Sequence, residues 1–193
     1  MSEIKLTNGS IENAILTDGK LVGGYVDNNG YISAKGNGTI VFADSSNGGV
    51  IDASGNGSFA HGFADNNSTI SVSGNGAVAT GYTIYTSYIK AIGDGAHAEG
   101  CARFGYIDAS GWGAHAEGYA NYGHLDASGN GAHAEGITTK ALADGAHAEG
   151  YETIALGEDS HAEGKGIITS LSSVSTVSGN QFTLKSISTM ISG

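Results

Sequence analysis

The chain has 193 residues, of which 33 are glycine and none is proline, and it carries only five phenylalanines and one tryptophan. So few large side chains exclude a deep globular core, and glycine that does not recur at every third position excludes collagen. The formal net charge of −11 disfavours nucleic acid or an anionic membrane surface as a partner, because either needs a basic face.

The first 18 residues predict short strands that cap the N-terminal end of a repeat array. Ile4 and Leu6 alternate with polar residues, and a turn comes next at Asp18-Gly19. This segment lacks the basic and apolar regions of a secretory signal, and no run of about 18 apolar residues occurs, which predicts no membrane insertion.

From residue 19 the chain repeats one six-residue phrase, Gly-Ala-His-Ala-Glu-Gly, in intact or degenerate form. The copies begin at residues 19, 38, 57, 76, 95, 113, 131, 145 and 159, so the steps are 19, 19, 19, 19, 18, 18, 14 and 14 residues. Self-similarity at such a period is typical of a solenoid, in which each rung buries small residues against the next. Residues 19–164 therefore predict an all-β fold, a β-roll or β-solenoid of about nine rungs.

Each repeat contains two predicted strands joined by two corners. The phrase is the first strand, and the second has the form Ile-x-Ala, as in Ile107-Asp108-Ala109. One corner reads Gly-Asn-Gly, where both residue types tolerate positive φ. The other corner holds four or five extra residues in the long repeats, which we interpret as bulges absent from the two short repeats. No stretch keeps the 3.6-residue period of a helix.

Alternation along the phrase predicts which side chains face inward. The fourth position is always alanine or valine and should line the interior, so the third position should point outward. The third position begins with four large apolar residues, which indicates that another copy of the chain covers it. The predicted seam comprises Leu21, Ile40, Phe59, Val78, His97, Glu99, His115, Glu117, His133, Glu135, His147, Glu149, His161 and Glu163.

After Gly164 the repeats stop. Residues 165–193 contain two alternating runs on either side of Gly179-Asn180, which predict a terminal strand pair that caps the roll or docks on another protein. The only cysteine, Cys101, excludes an intrachain disulfide framework and is expected to be a packed, unreactive residue.

The spacing of these residues resembles a known family. The pattern x-Ala-x-Ala-x-Gly at 14-residue steps, seen over residues 131–150, resembles the head repeats of YadA-like trimeric adhesins. Its His-Ala-Glu-Gly variant is similar to repeats of bacteriophage tail-fibre and other virion-appendage proteins. The resemblance is closest over residues 131–164, weaker over 19–130, and absent from the two termini. It implies a parallel homotrimer about a threefold axis, acting as a spacer or host-attachment part at the virion surface.

The signal, heptad stalk and barrel anchor expected of an autotransporter adhesin do not appear in this sequence, which favours the phage alternative. Other virion proteins would then be partners through the termini. A bacterial cell-surface or extracellular adhesin fragment is the second interpretation. The third is a glycan-degrading spike enzyme, since Asp52, Asp108 and Asp126 share one strand position. A catalytic constellation usually occurs once, whereas the His/Glu pair occurs five times, so we predict no enzyme and no cofactor.

Two groups of side chains leave alternatives open. The histidines His97, His115, His133, His147 and His161 are candidate metal ligands or a pH-sensitive column, or else a hydrogen-bonded seam. Tyr82, Tyr85, Tyr88, Phe104, Tyr106, Trp112, Tyr119 and Tyr122 cluster in the middle rungs, mostly in the long corners. They form either a receptor surface for a host glycan or surface protein, or packing between protomers.

Overall fold

The structure is a computed structural model that describes residues 19–169, 177–178 and 181–182. The predicted N-terminal cap over residues 1–18 lies outside the described residues, as does most of the predicted C-terminal segment after Thr169.

The described residues form strands and no helix, so none of them belongs to a helix able to cross a bilayer. In chain order the strands are β1 (Leu21–Val26), β2 (Tyr31–Ala34), β3 (Ile40–Ser45), β4 (Val50–Ala53), β5 (Phe59–Ala64), β6 (Thr69–Val72), β7 (Val78–Ile84), β8 (Tyr88–Ala91), β9 (His97–Arg103), β10 (Tyr106–Ala109), β11 (His115–Asn121), β12 (His124–Ala127), β13 (His133–Ile137), β14 (Lys140–Ala141), β15 (His147–Tyr151), β16 (Ile154–Ala155), β17 (His161–Lys165) and β18 (Ile168–Thr169). Two further strands, β19 (Val177–Ser178) and β20 (Gln181–Phe182), pair antiparallel around residues 179–180, as predicted.

The strands β1 to β18 build two parallel sheets that face each other. The odd-numbered strands form a nine-stranded first sheet, and the even-numbered strands form a nine-stranded second sheet. Equivalent residues of successive repeats are register partners, for example Ala98 with Ala116 and Ala116 with Ala134. The predicted all-β solenoid is confirmed. Its stack continues past Gly164, because β18 joins the second sheet.

Small residues of the first sheet face large residues of the second sheet in the interior. The fourth position of the phrase is fully buried from Val41 to Ala162, as predicted, and only Val22 in the first rung is partly exposed. Opposite it stands a fully buried column of Ile51, Ile70, Ile89, Ile107 and Leu125. The close approach of the two sheets is seen at Ile89, because a Cβ built on Gly81 of the first sheet would lie 2.7 Å from the Cδ1 atom of Ile89.

The glycine that ends the phrase is required by contact between rungs. Gly118 has φ +136°, and a Cβ built on it would lie 2.0 Å from the carbonyl oxygen of Gly136 in the next rung. The same approach recurs at Gly81 and Gly100. Glycine is needed in these rungs because φ is positive; the equivalent residue of the second rung is Ala43, whose φ is not positive.

Asparagine at the Gly-Asn-Gly corner has a role other than the one predicted. The positive φ falls on the second glycine, as at Gly57, and not on the asparagine. The asparagine side chain instead accepts a hydrogen bond from the preceding rung: the Asn37 N–H donates to Asn56 Oδ1 at 2.9 Å, and the Asn56 N–H donates to Asn75 Oδ1 at 3.0 Å. The column of amides thus ties consecutive corners together.

Most of the extra residues of the long repeats are strand residues, so the prediction of bulges at this corner is wrong for the 18-residue repeats. In the 19-residue repeat of β5 and β6 the corner still has four residues, 65–68, against two, 138–139, in a short repeat. In a long rung β9 has seven residues and β10 has four, whereas in a short rung β13 has five and β14 has two. Ala102 and Ala120 are fully buried within the lengthened strands. The long rungs therefore enclose a wider interior, and the short rungs replace the branched apolar residue with Thr139 or Thr153, both fully buried.

Candidate functional site

The outer face of the first sheet carries every residue of the predicted seam. Alternation places three columns of side chains there, which begin at Leu21, Gly23 and Tyr25 in β1. The first column continues through Ile40, Phe59 and Val78 and ends in the histidines. The second column ends in Glu99, Glu117, Glu135, Glu149 and Glu163.

The five histidines form one continuous stack, which we call the histidine column (His97, His115, His133, His147 and His161). Neighbouring rings are 4.7–4.8 Å apart between centroids, and their planes deviate from parallel by 1–9°. This spacing is the strand separation of a parallel sheet, about 4.8 Å, so the register alone aligns the rings. Each ring presents one edge along the outer face.

The outward edge of the column is short of hydrogen-bond partners. Nε2 of His97 lies 3.1 Å from Glu99 Oε2, and Nε2 of His115 lies 3.3 Å from Glu117 Oε2. The second contact does not have the geometry of a hydrogen bond, and the same nitrogen is inaccessible to water. The Nε2 atoms of His133, His147 and His161 are likewise buried without a partner in the described chain. Such atoms are normally satisfied by a neighbouring group, a water or an ion.

At one histidine of the column, His147, burial and the neighbouring charges favour the neutral imidazole. Burial lowers the pKa of His147 below its usual value of 6.5, and positive charge on His133 or His161 would lower it further. Glu149 and Glu135 act in the opposite direction. A neutral ring retains one nitrogen lone pair, which can accept a hydrogen bond or bind a metal ion.

Three groups in this column bring metal-ligating atoms together. They are His97, Glu99 and His115; His115, Glu117 and His133; and His147, Glu149 and His161, with the ligand atoms of each group within 4.8 Å of one another. The histidines that the sequence singled out as candidate ligands therefore do converge, with the glutamates two residues on as further ligands.

The N-terminal half of the same face is mostly apolar and partly exposed, and its polar residues are Asp44, His61 and Thr80. Ile40 is 37% exposed, Phe42 is 40% exposed and Tyr82 is 44% exposed. Phe63 stacks on Tyr82 with ring centroids 5.3 Å apart, which joins two rungs in one aromatic surface. The outer face of the first sheet is therefore apolar near β1 and lined with imidazole and carboxylate near β17.

The structure separates the aromatic residues that the sequence grouped as a receptor surface. Tyr82 and Tyr119 lie in the first sheet, and Tyr88 and Tyr106 lie in the second sheet. Trp112 lies at the glycine-rich corner and is 71% exposed. The prediction that most of them occupy the long corners is therefore wrong.

Three of these aromatic residues do meet at the long corner. Tyr85, Phe104 and Tyr122 stack with centroids 4.7 and 4.8 Å apart, and each has φ of 51–59°. Such positive φ values are uncommon for bulky side chains. Arg103 lies 5.5 Å from the Tyr85 ring centroid and 5.7 Å from that of Phe104. The corner thus presents an exposed aromatic ladder next to a cation.

The second sheet carries a polar site on its outer face that the sequence motifs did not reveal. Tyr88, Lys90, Tyr106 and Asp108 line a shallow cavity of about 340 Å³. Tyr88 and Tyr106 have centroids 5.5 Å apart, and Lys90 Nζ lies 4.6 Å from the Tyr88 ring centroid. The strand register could have predicted this cavity, because Tyr88 is paired with Tyr106 and Lys90 with Asp108 in the neighbouring strands β8 and β10.

Asp108 is the perturbed group of this cavity. Burial, reinforced by the adjacent Asp126 carboxylate, raises its pKa from 3.8 to about 6, against the opposing charge of Lys90. Its Oδ1 atom is buried without a hydrogen-bond partner in the described chain. Burial also raises the pKa of Asp126, its register partner. The strand position shared by the three aspartates forms one column along the second sheet, as the sequence indicated. In rung order it reads Asp52, Ser71, Lys90, Asp108 and Asp126.

The raised pKa of Asp108 predicts that stability falls as the pH rises. Between pH 4 and about 6 the folded chain binds more protons than the unfolded chain, so the stability gained on protonation is lost as the pH passes about 6. Asp108→Asn should therefore raise the free energy of unfolding at pH 8 by about 1–2 kcal/mol, after allowance for solvent screening, and flatten its pH dependence.

Urea unfolding between pH 4 and 8 measures this effect. Asp94→Asn controls for the loss of one negative charge, because asparagine can keep the acceptor that Asp94 offers to the Asn75 N–H. An unchanged pH slope in Asp108→Asn would contradict the assignment.

Cys101 lies on the outer face of the first sheet, between Tyr82 and Tyr119 in the register. Burial raises the pKa of its thiol, and Arg103 opposes this only in part. The thiolate, which is the reactive form, is therefore disfavoured.

Comparison with known proteins found no relative of this chain among protein-family models or curated proteins.

Proposed function

We propose that this chain is a non-enzymatic structural module, a rigid solenoid that associates side by side with two other copies through the outer face of its first sheet. The observation that carries the proposal is that face itself. It exposes Ile40, Phe42 and Tyr82 in one half and leaves imidazole nitrogens unpartnered in the other. A second surface covers the exposed apolar area directly, and it supplies partners to the buried nitrogens when the partly exposed histidine and glutamate side chains shift to admit them.

A sister chain fits this face better than an unrelated protein would. If copies are related by an axis parallel to the stack, equal rungs lie at equal height, so apolar rungs meet apolar rungs and His/Glu rungs meet His/Glu rungs. A histidine of one copy can then donate to a glutamate of the next. Such matching is needed because three chains of formal charge −11 repel one another.

Repetition supports a structural role over catalysis. The His/Glu arrangement recurs in successive rungs at one spacing, which produces a uniform surface. Catalytic sites instead combine a few unlike groups at one place. The resemblance to phage tail-fibre repeats supports a spacer in a virion appendage, exposed at the virion surface, and the Tyr88–Asp108 cavity and the aromatic ladder are surfaces for host attachment.

Two other functions are supported less well. A bacterial surface adhesin fragment would have the same architecture and would be favoured by an anchor encoded with it.

A glycan-degrading enzyme is favoured by one observation only, the adjacent carboxyl groups of Asp108 and Asp126 with raised pKa values. Release of reducing ends from host polysaccharide, abolished in Asp108→Asn, would support the enzyme.

Solution mass tests the assembly directly. Three chains of 19.3 kDa give 3 × 19.3 = 57.9 kDa, which light scattering distinguishes from one chain. Phe42→Lys should shift the mass toward a single chain, because it places a charge in the apolar half of the face. Tyr31→Lys is the matched control, since Tyr31 is an exposed aromatic residue of the second sheet. A folded single chain at micromolar concentration in the unmodified protein would contradict the proposal.

A further inference from the structure

Two rungs of the histidine column hold two metal-ligating atoms at the separation that a single ion requires. Zinc binds imidazole nitrogen and carboxylate oxygen at about 2.1 Å, so two ligands at a right angle are about 3.0 Å apart. The observed separations are 3.1 Å between His97 Nε2 and Glu99 Oε2, and 3.3 Å between His115 Nε2 and Glu117 Oε2. These pairs can chelate an ion with little movement.

We propose that the histidine column binds divalent transition-metal ions, each held by Nε2 of a histidine and a carboxylate oxygen of the glutamate two residues on. Imidazole nitrogen combined with carboxylate oxygen suits Zn²⁺, Co²⁺ and Ni²⁺. The unpartnered Nε2 atoms of His115, His133, His147 and His161 then gain a ligand to satisfy them.

The stacking of the rings determines how the ions are distributed. An imidazole directs its lone pair within the plane of its ring. The planes of His97 and His115 are 1° from parallel with centroids 4.8 Å apart, so the two lone pairs point side by side rather than at a common ion. Each ion therefore belongs to one rung, and one chain supplies it with two ligands.

The remaining ligands come from sister chains, and to this extent the inference rests on the proposed assembly. Three copies at equal height bring three imidazoles and three carboxylates toward one axis, which is a complete octahedral set of nitrogen and oxygen ligands. The register repeats the histidine and the glutamate two residues on in every rung from His97 to Glu163. The two atoms already have the required separation in the His97 and His115 rungs, whereas Nε2 of His147 lies 4.0 Å from Glu149 Oε2. One trimer therefore offers such sites in a row, and the later rungs need a movement of the side chains.

Cobalt binding tests the inference, and equilibrium dialysis measures it, because six-coordinate Co²⁺ absorbs only weakly in the visible region. The full chain is stripped with a chelator and dialysed against increasing concentrations of Co²⁺, while light scattering gives the mass of the same sample. We expect saturable binding of one or more Co²⁺ ions per three chains, and displacement of Co²⁺ by Zn²⁺.

The matched variants separate ligands from other charged groups. Glu99→Gln combined with Glu117→Gln and Glu149→Gln should weaken Co²⁺ binding about tenfold or more, because these are the glutamates of the three metal-ligating groups and glutamine removes the charged oxygen but keeps the shape. His124→Gln, on the second sheet, should leave binding unchanged. Circular dichroism confirms that each variant is folded.

The two readouts distinguish the inference from the assembly. A trimer that binds no Co²⁺ in dialysis overturns the metal site and leaves the assembly intact. A single chain overturns the assembly and, with it, the ligand set described here. Co²⁺ binding that persists at full strength in the folded triple glutamine variant also overturns the inference, since the ion is then held elsewhere.

Discussion

Gly118→Ala is expected to prevent stable folding of the solenoid. The new Cβ would lie 2.0 Å from the carbonyl oxygen of Gly136, and the backbone at Gly118 has φ +136°, which non-glycine residues rarely adopt. The clash is with the backbone of a paired strand, so it cannot be relieved by rotating a side chain. We expect a loss of about 4 kcal/mol or more in the free energy of unfolding, measured by urea denaturation.

Gly113→Ala provides the matched control for this substitution. Gly113 also has positive φ, +61°, but a Cβ built there has no heavy atom within 4 Å. Its cost should be limited to the left-handed conformation, about 1–2 kcal/mol. Equal losses in the two variants would show that close stacking at Gly118 is not what makes glycine necessary.

Ile107→Ala is expected to have the second largest effect. Ile107 is fully buried in the column that fills the space between the two sheets. Removing its branched end leaves a cavity that stacked backbones cannot collapse to fill, so the loss should be about 3–4 kcal/mol. Thermal unfolding followed by circular dichroism in the far ultraviolet, where strands give their signal, measures the change.

Ile92→Ala makes the same chemical change at a residue that is 44% exposed. It should cost less than about 1 kcal/mol. A comparable loss at both residues would mean that the interior column contributes no more than the surface, contrary to the described packing.

The sequence predicted the solenoid and its interior because both depend on local periodicity. A fixed step between copies of the phrase requires equal residues to stack, and alternation then places Ala98 inside and His97 outside. The outer position of the seam residues follows by the same rule. These predictions needed no knowledge of how distant groups pack.

The predictions that were wrong concern contacts between rungs. The Gly-Asn-Gly corner suggested a backbone role for asparagine, whereas Asn56 acts through its side chain on the rung before it. The extra residues resembled loop insertions because they contain Asn and Gly, and residues 65–68 do form a corner, yet Ala102 shows that others extend the interior. The cavity at Tyr88 and Asp108 is formed by residues of the second sheet, and the six-residue phrase belongs to the first sheet. The phrase therefore gave no indication of this cavity.

The change in rung size has a practical consequence for protein engineering. Rungs of 19, 18 and 14 residues share one uninterrupted stack, and the difference is absorbed at the end of the rung where the first sheet passes to the second. Peptides grafted at the tips of these turns, at Tyr85, Phe104 or Tyr122, would be displayed in a row about 4.8 Å apart. The scaffold therefore offers an adjustable edge for arranging epitopes or enzymes at molecular spacing, while its opposite edge stays constant.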